Sequence, residues 1–398
     1  VLEFKGGRWN MELYCDGERV YLSRNYRVEG FSKKELLESS RYEVVWQSNK
    51  LSETPKILTS TRYHLLGAGG SKLFRMDRRS GESVELEAGN EIKDVASNLR
   101  NVFFLTAEGL YRVSAERFAD AEVVRMPVSD LLDKPLRSLA LAGKNLYILA
   151  GNFICRVSID GELLFQRTLT DGLKVLPHYD GCVIIRKGEL LYFTEDLEVL
   201  SSGSFEGEFV KAEHGAYHTL LLTDRNFGVY GKTGKRYAHV EDAHYISFAE
   251  GLNHVYFLDR DGTVSYSGKK DLLGDNFQEI DLTTLVAIIM ASLMLVEKRG
   301  NNVLIKEEKG YIDVQIEGRV VSVEDIILAL SKYFPEVFYL YRNPGYYEEI
   351  DAFAQKFDLF RVVGKDVRLN SELLDRLIQM HSGFRALEED IVRSLLSL

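Results

Sequence analysis

Five of the eight histidines in this 398-residue chain fall between positions 214 and 254: His214, His218, His239, His244 and His254. Clustered imidazoles are common material for metal centres and acid–base relays. The spacing argues against both. His214 and His218 flank Gly215-Ala216-Tyr217 on what reads as a strand pair, no HExxH occurs, and no carboxylate stands at a ligand spacing. Gly67-Ala68-Gly69-Gly70-Ser71-Lys72 is rich enough in glycine to cradle a phosphate. It lacks the GxxxxGK[ST] spacing and has strand-like flanks where a helix N-terminus is required. Asp259-Arg260-Asp261-Gly262 opens like a calcium loop without the closing Glu. Both stretches are expected to be hairpin turns. Cys15, Cys155 and Cys182 are odd in number and far apart, which excludes a disulfide framework and a CxxC zinc site. No GxSxG elbow is present. No catalytic, cofactor-binding or metal-binding residue is assigned, and no cofactor is expected.

The elements around these residues repeat. Glycines sit between short runs of Val, Leu, Ile, Phe and Tyr, and turn markers fall at positions 17, 70, 109, 151, 188, 226, 262 and 300. Six of the seven intervals lie between 36 and 42 residues, and the first is 53. A period near 40 built from short strands predicts a β-propeller, in which four-stranded blades stack around an axis because no single blade buries its own faces. The long first interval holds Ser32 to Ser40, a Ser cap followed by helix formers, and predicts a helical insertion. Eight markers allow eight blades. Seven is preferred, with the hairpin Glu12 to Leu22 completing the last blade as a closing strand pair.

One unit has a family likeness. Gly251, His254, Leu258, Gly262, Val264 and Gly268 stand at the offsets of the repeat in the regulator of chromosome condensation family, which residues 251–268 resemble. Gly215, His218 and Leu222 match in part 36 residues earlier, and Leu105 and Gly109 are retained in a third unit. The resemblance implies a propeller. It brings over no exchange-factor or chromatin residue, because none can be matched. From the residues themselves, Gly262 suits a tight turn, and the His254 ring is expected to donate to a neighbouring backbone carbonyl.

The propeller is expected over residues 1–309, with a small α/β module over 310–398. Ser322 caps a helix from Val323 to Phe334 that Pro335 should end. A second helix, Tyr346 to Phe357, a hairpin spanning Leu359 to Asn370 and terminal helices from Ser371 complete a winged-helix-like order. Arg361, Lys365 and Arg368 lie on the wing and are the candidate nucleic-acid contacts. Residues 310–398 carry 10 Lys+Arg against 15 Asp+Glu, which weighs against such binding. The last helix places Phe384, Leu387, Ile391 and Leu395 on one stripe, a candidate oligomerisation seam that would otherwise pack within the module.

Composition narrows the function. Lys+Arg 50 against Asp+Glu 60 gives a net charge of -10, the wrong sign for general polyanion or anionic-lipid binding. The longest uncharged run, Leu282 to Val296, is 15 residues, too short for a bilayer-spanning helix. No signal peptide is visible, so a cytoplasmic location is expected. Six glutamines beside abundant charge suggest heat adaptation. The expected function is a non-enzymatic scaffold for protein partners. The alternatives are an enzyme with its site at the axial mouth and a nucleic-acid binder using the wing.

Overall fold

The structure is a computed structural model describing residues 11–39, 42–98, 100–118, 122–280, 282–308, 311–346, 360–363, 366–369 and 383–398. It divides into two compact units, Val1–Gln278 and Glu279–Leu398. The boundary therefore lies 31 residues before the one expected from sequence (309 − 278).

The first unit contains seven antiparallel sheets in chain order, six of four strands and a last one of three among the described residues. Each blade starts with an inner strand: Glu12–Cys15, Ile57–Ser60, Ile92–Ser97, Leu136–Ala142, Gly172–His178, Phe209–His214 and Tyr245–Glu250. The second strands are the most buried, as in His218–Thr223 (Leu220, Leu221, Leu222) and Gly181–Arg186 (Val183, Ile184, Ile185). Such uninterrupted apolar runs suit strands covered on both faces. Apolar clusters fill the seams between neighbouring blades; Tyr21, Trp46, Leu65 and Phe74, for example, join blades 1 and 2. Burying each such side chain contributes about 1.5–3 kcal/mol.

Among the described residues the ring closes without a shared sheet. The hairpin Glu12 to Leu22 does not complete the last blade; it supplies the first two strands of blade 1, paired onward to Arg27–Ser32 and Val44–Gln47. Blade 7 instead packs face to face on blade 1, where Ala249, Tyr256, Leu258 and Val264 meet Leu13, Cys15, Leu22 and Phe31. The helical insertion is present as α1 (Lys33–Ser39) between the third and fourth strands of blade 1, with Ser32 Oγ accepting from Glu35 N–H at 3.4 Å. Gly17 belongs to the first hairpin of its blade, whereas Gly70, Gly109, Gly151, Gly188, Asn226 and Gly262 mark second hairpins. The matching turn of blade 1 is Asn25-Tyr26, which contains no glycine. A short helix, α2 (Lys269–Leu273), follows blade 7.

There is no eighth hairpin at Arg299-Gly300. Residues Leu282–Lys298 form α3, buried on every side from Leu285 to Val296, and Gly300 follows its C-terminus. The second unit then forms a five-stranded sheet in which Val303–Glu308 lies between Tyr311–Ile316 and Asp366–Leu369, with Arg319–Val321 and Phe360–Val363 at the edges. Helix α4 (Val323–Ser331) begins where expected, and Ser322 Oγ accepts from Asp325 N–H at 3.1 Å. Pro335 does more than end that helix. It occupies the first turn of α5 (Pro335–Arg342), where a residue without an N–H costs nothing. Residues Gly383–Leu396 form α6, which packs on α3 and α4.

Candidate functional site

Blade equivalence locates the groups around the axis. A residue at the end of each inner strand closes the first hairpin: Asp16, Thr61, Asn98, Gly215 and Gly251 donate their N–H to Arg19, His64, Asn101, His218 and His254, and Ala142 and His178 hold the same register in blades 4 and 5. The recurrent Gly-x-x-His thus closes a hairpin through the backbone carbonyl of the histidine. Four residues before each closing residue stand Glu12, Ile57, Asp94, Ser138, Lys174, Lys211 and Ser247, polar in six of the seven blades. In blades 3 to 7 this residue follows a break in register. A bulge sets two residues opposite one and re-aims both side chains.

Those polar groups bind one another in two triads of the same plan. Lys174 Nζ pairs with Asp94 Oδ2 at 2.6 Å, passing over blade 4, while Ser138 Oγ donates to the same oxygen at 2.7 Å and Leu139 N–H at 2.9 Å. Lys211 pairs with the Glu12 carboxylate, passing over blade 7, and also reaches Glu213 Oε1 at 3.1 Å and the carbonyls of Leu13 and Phe248 at 3.0 and 2.6 Å. Ser247 Oγ donates to Glu12 Oε1 at 3.0 Å. Burial alone would lower the Lys211 pKa; Glu12 and Glu213 outweigh it, and the ammonium is held above its ordinary value.

At the opposite end of the axis, where the hairpins close, the charged groups are buried. Asp16 accepts from Glu18 N–H and Arg19 N–H through one oxygen and from Tyr21 Oη through the other, and it pairs with Arg78 Nη2 at 2.6 Å; all of its carboxylate is buried. Lys269 Nζ meets Glu250 Oε1 at 2.5 Å, both buried. His178 packs against His214 with ring centroids 4.9 Å apart and planes tilted by 54°, and His214 Nδ1 shares a hydrogen bond with Thr219 Oγ1 at 2.8 Å. Burial pushes His178 down to about 4 against the pull of Asp180, with Lys232 adding to the fall, and pushes His218 to about 4 with help from Lys269.

The histidine cluster of the sequence is not a site. Its members are distributed over four strands and a loop of blades 6 and 7, and the partner His214 does acquire, His178, comes from blade 5. No ring hydrogen bond of His254 to a carbonyl is seen among the described residues; its ring lies instead against Tyr256 and Tyr266. Among the described residues no group of three or more His, Cys, Asp or Glu is placed to hold a metal ion. The cysteines are separate and buried, and burial raises Cys15 to about 12 as its Sγ donates to Glu250 O at 2.9 Å. Gly67–Lys72 and Asp259–Gly262 are hairpin turns, the second tied by Asp259 Oδ1 accepting from Asp261 and Thr263 N–H.

In the second unit, Arg361 and Arg368 stand opposite each other on the expected hairpin, and Lys365 lies outside the described residues, as does the helix expected from Tyr346 beyond that residue. Ile391 and Leu395 are fully buried within the unit and Leu387 is half-buried; of Phe384 only the backbone is described. Ile391 and Leu395 of the stripe expected as an oligomerisation seam thus pack within the unit, with Tyr333 Oη and Ser394 Oγ hydrogen-bonded at 2.7 Å alongside.

The entry end of the axis is more open. A cleft of about 590 Å³ lies across the seam of blades 7, 1 and 2, lined by Met11, Arg24, Tyr26, Glu53, Lys56 and Arg260 among others. Asn25 and Tyr26 both have positive φ (50° and 62°), and Tyr26 is 51% exposed. That conformation favours glycine at the second position, so an exposed tyrosine there is strained.

Seven face-packed blades around a polar axis define a seven-bladed β-propeller, to which an α/β unit is appended. No family model matches the chain. The chain belongs to one family with an uncharacterized protein of Aquifex aeolicus (strain VF5), 52% identical over 387 residues that span 97% of either chain. Among solved structures, BBS1N, crystallised in complex with ARL6DN, is similar with a TM-score of 0.51 and 12% identity, covering 65% of this chain and 91% of that one. BamB from Moraxella catarrhalis gives 0.46 and 12%, covering 64% and 83%. The likeness to BBS1N concerns the fold alone.

Proposed function

We propose that the protein is a non-enzymatic scaffold whose propeller binds a protein partner at the entry end of its axis. The observation that carries this reading is the cleft across blades 7, 1 and 2, with the exposed, strained Tyr26 at its rim. Strain of this kind is kept where a side chain has work to do outside the fold. The charges of the axis support the same reading against an enzyme at the axial mouth, because Asp94, Lys174, Glu12 and Lys211 neutralise one another. The likeness of residues 251–268 to the regulator of chromosome condensation repeat supports the blade as the unit of construction and assigns no exchange activity. The second unit, winged-helix-like in its hairpin, serves as a docking module, and a cytoplasmic location fits the reading. Native extract passed over the immobilised full chain should yield a stoichiometric protein partner that is lost on Tyr26→Ala. A chain that captures nothing and turns over a small molecule sinks the proposal.

A further inference from the structure

The residues five places before each hairpin-closing position form a second ring at the entry end: Met11, Lys56, Lys93, Arg137, Leu173, Val210 and Ile246. In blades 3 to 7 these are the first residues of the bulges, and Met11 and Lys56 line the cleft beside the second-hairpin turns of blades 1 and 7. Their types are segregated. Blades 2, 3 and 4 contribute three exposed cations in a row, and blades 5, 6, 7 and 1 contribute four apolar side chains in a row. Leu173 and Val210 are 45% and 40% exposed, Ile246 and Met11 partly so. Nothing in blade stability demands this order, since the equivalent position inside the ring one residue later is occupied by paired charges. Local counter-charges exist: Glu91 pairs with Lys93 and also feels the charge of Lys56, and Glu53 and Asp261 stand in the cleft, while Arg137 Nη1 donates to the neutral carbonyl of Gly172 at 3.3 Å.

We propose that the entry mouth receives a segment of a partner protein that sets acidic side chains against Lys56, Lys93 and Arg137 and apolar side chains against Leu173, Val210 and Ile246. The inference rests on the scaffold reading and names the chemistry of its partner. Charge complementarity argues for it: on a chain of net charge -10 a cationic arc is a local exception, and the apolar arc beside it would gain nothing from a polyphosphate backbone.

The test is a phage-displayed library of random 12-residue peptides selected on the immobilised full chain. Enriched peptides should combine Asp or Glu with Leu, Ile or Phe. They should bind K56E/K93E/R137E about tenfold or more weakly, and weaken similarly on L173S/V210S, because both arcs would be in contact. Unchanged thermal melting of both variants shows that they fold. Peptides without an acidic bias, peptides that bind both variants as well as the parent, or no enrichment at all overturn the inference. Tighter binding of labelled dT20 than of any selected peptide, abolished by the charge reversal, overturns it in favour of nucleic acid. A partner captured from extract equally by parent and variants would leave the scaffold reading standing and remove this face from it.

Discussion

The two ends of the propeller axis are built from the same seven strands, yet they treat charge differently. At the hairpin-closing end the ions are buried and paired, as in Asp16–Arg78 and Glu250–Lys269. At the entry end the pairs Asp94–Lys174 and Glu12–Lys211 remain partly open to water, with exposed cations and apolar residues one place further out. The strand is continuous between the two, and in blades 3 to 7 the difference comes with the bulge. It lets consecutive residues at the entry end face outward, whereas the regular ladder at the other end drives alternate residues into the seams. The closing end buries its charges within the ring, and the entry end leaves side chains exposed to solvent.

The largest effect should come from breaking the buried end. Asp16→Ala strands Arg78, deprives Tyr21 Oη of its acceptor and uncaps the first hairpin. Removing one partner of a buried pair costs about 3–5 kcal/mol. Denaturant unfolding of the full chain measures this, and a loss below about 1 kcal/mol would mean that this end does not carry the stability ascribed to it.

Acid should attack the same end. His178 and His218 are neutral when folded, with pKa values near 4, but take up protons near pH 6.5 once unfolded. Protonation therefore favours the unfolded chain. The stability they contribute is complete above about pH 6.5 and drains away as pH falls towards 4, by about 2–3 kcal/mol for each histidine. Carboxylates titrate nearby, so the discriminating measurement is the pH profile of His178→Gln. It should be flatter than the parent's between pH 6.5 and 4, and superimposable profiles contradict the assignment.

Lys174→Met, at the open end, sharpens the contrast with Asp16→Ala. Asp94 keeps the Ser138 hydroxyl and Leu139 N–H, and the lost ammonium is partly solvated. The cost should be about 1 kcal/mol. A loss as large as that of Asp16→Ala would erase the distinction between the two ends.

Much of this contrast was written in the sequence at a period of about 40 residues, but not all of it could be read. The second-hairpin turns announce themselves because glycine or asparagine recurs there, and they give the blade rhythm. Blade 1 breaks the rhythm at Asn25-Tyr26, so Gly17 of the first hairpin stood in for it. Helix α3 passed for a strand because a helix that is apolar all round shows no 3.6-residue contrast. The three strands from Val303 to Val321 were hidden with it. The axial rings can be counted from the closing residues once the blades are aligned. Their pairing cannot: Lys174 reaches back 80 residues to Asp94, and Lys211 reaches back 199 to Glu12, each over an intervening blade. Local spacing carries no record of such contacts.

The smallest expected effect has the opposite sign. Tyr26 holds a positive φ at a turn position that glycine occupies without strain, and its exposed ring buries little on folding. Left-handed conformation costs an L-residue about 1–2 kcal/mol, partly offset by the greater freedom glycine loses on folding. Tyr26→Gly should therefore stabilise the propeller by about 0.5–1 kcal/mol while weakening capture of its partner. The backbone bonds of the turn, Leu51 N–H to Tyr26 O at 2.8 Å and Tyr26 N–H to Thr54 Oγ1 at 2.9 Å, need no side chain at position 26 and should persist. A rise in unfolding free energy together with reduced partner capture would show that the tyrosine is kept for contact at the entry end. Lower stability would show instead that its ring is needed to hold the cleft in shape.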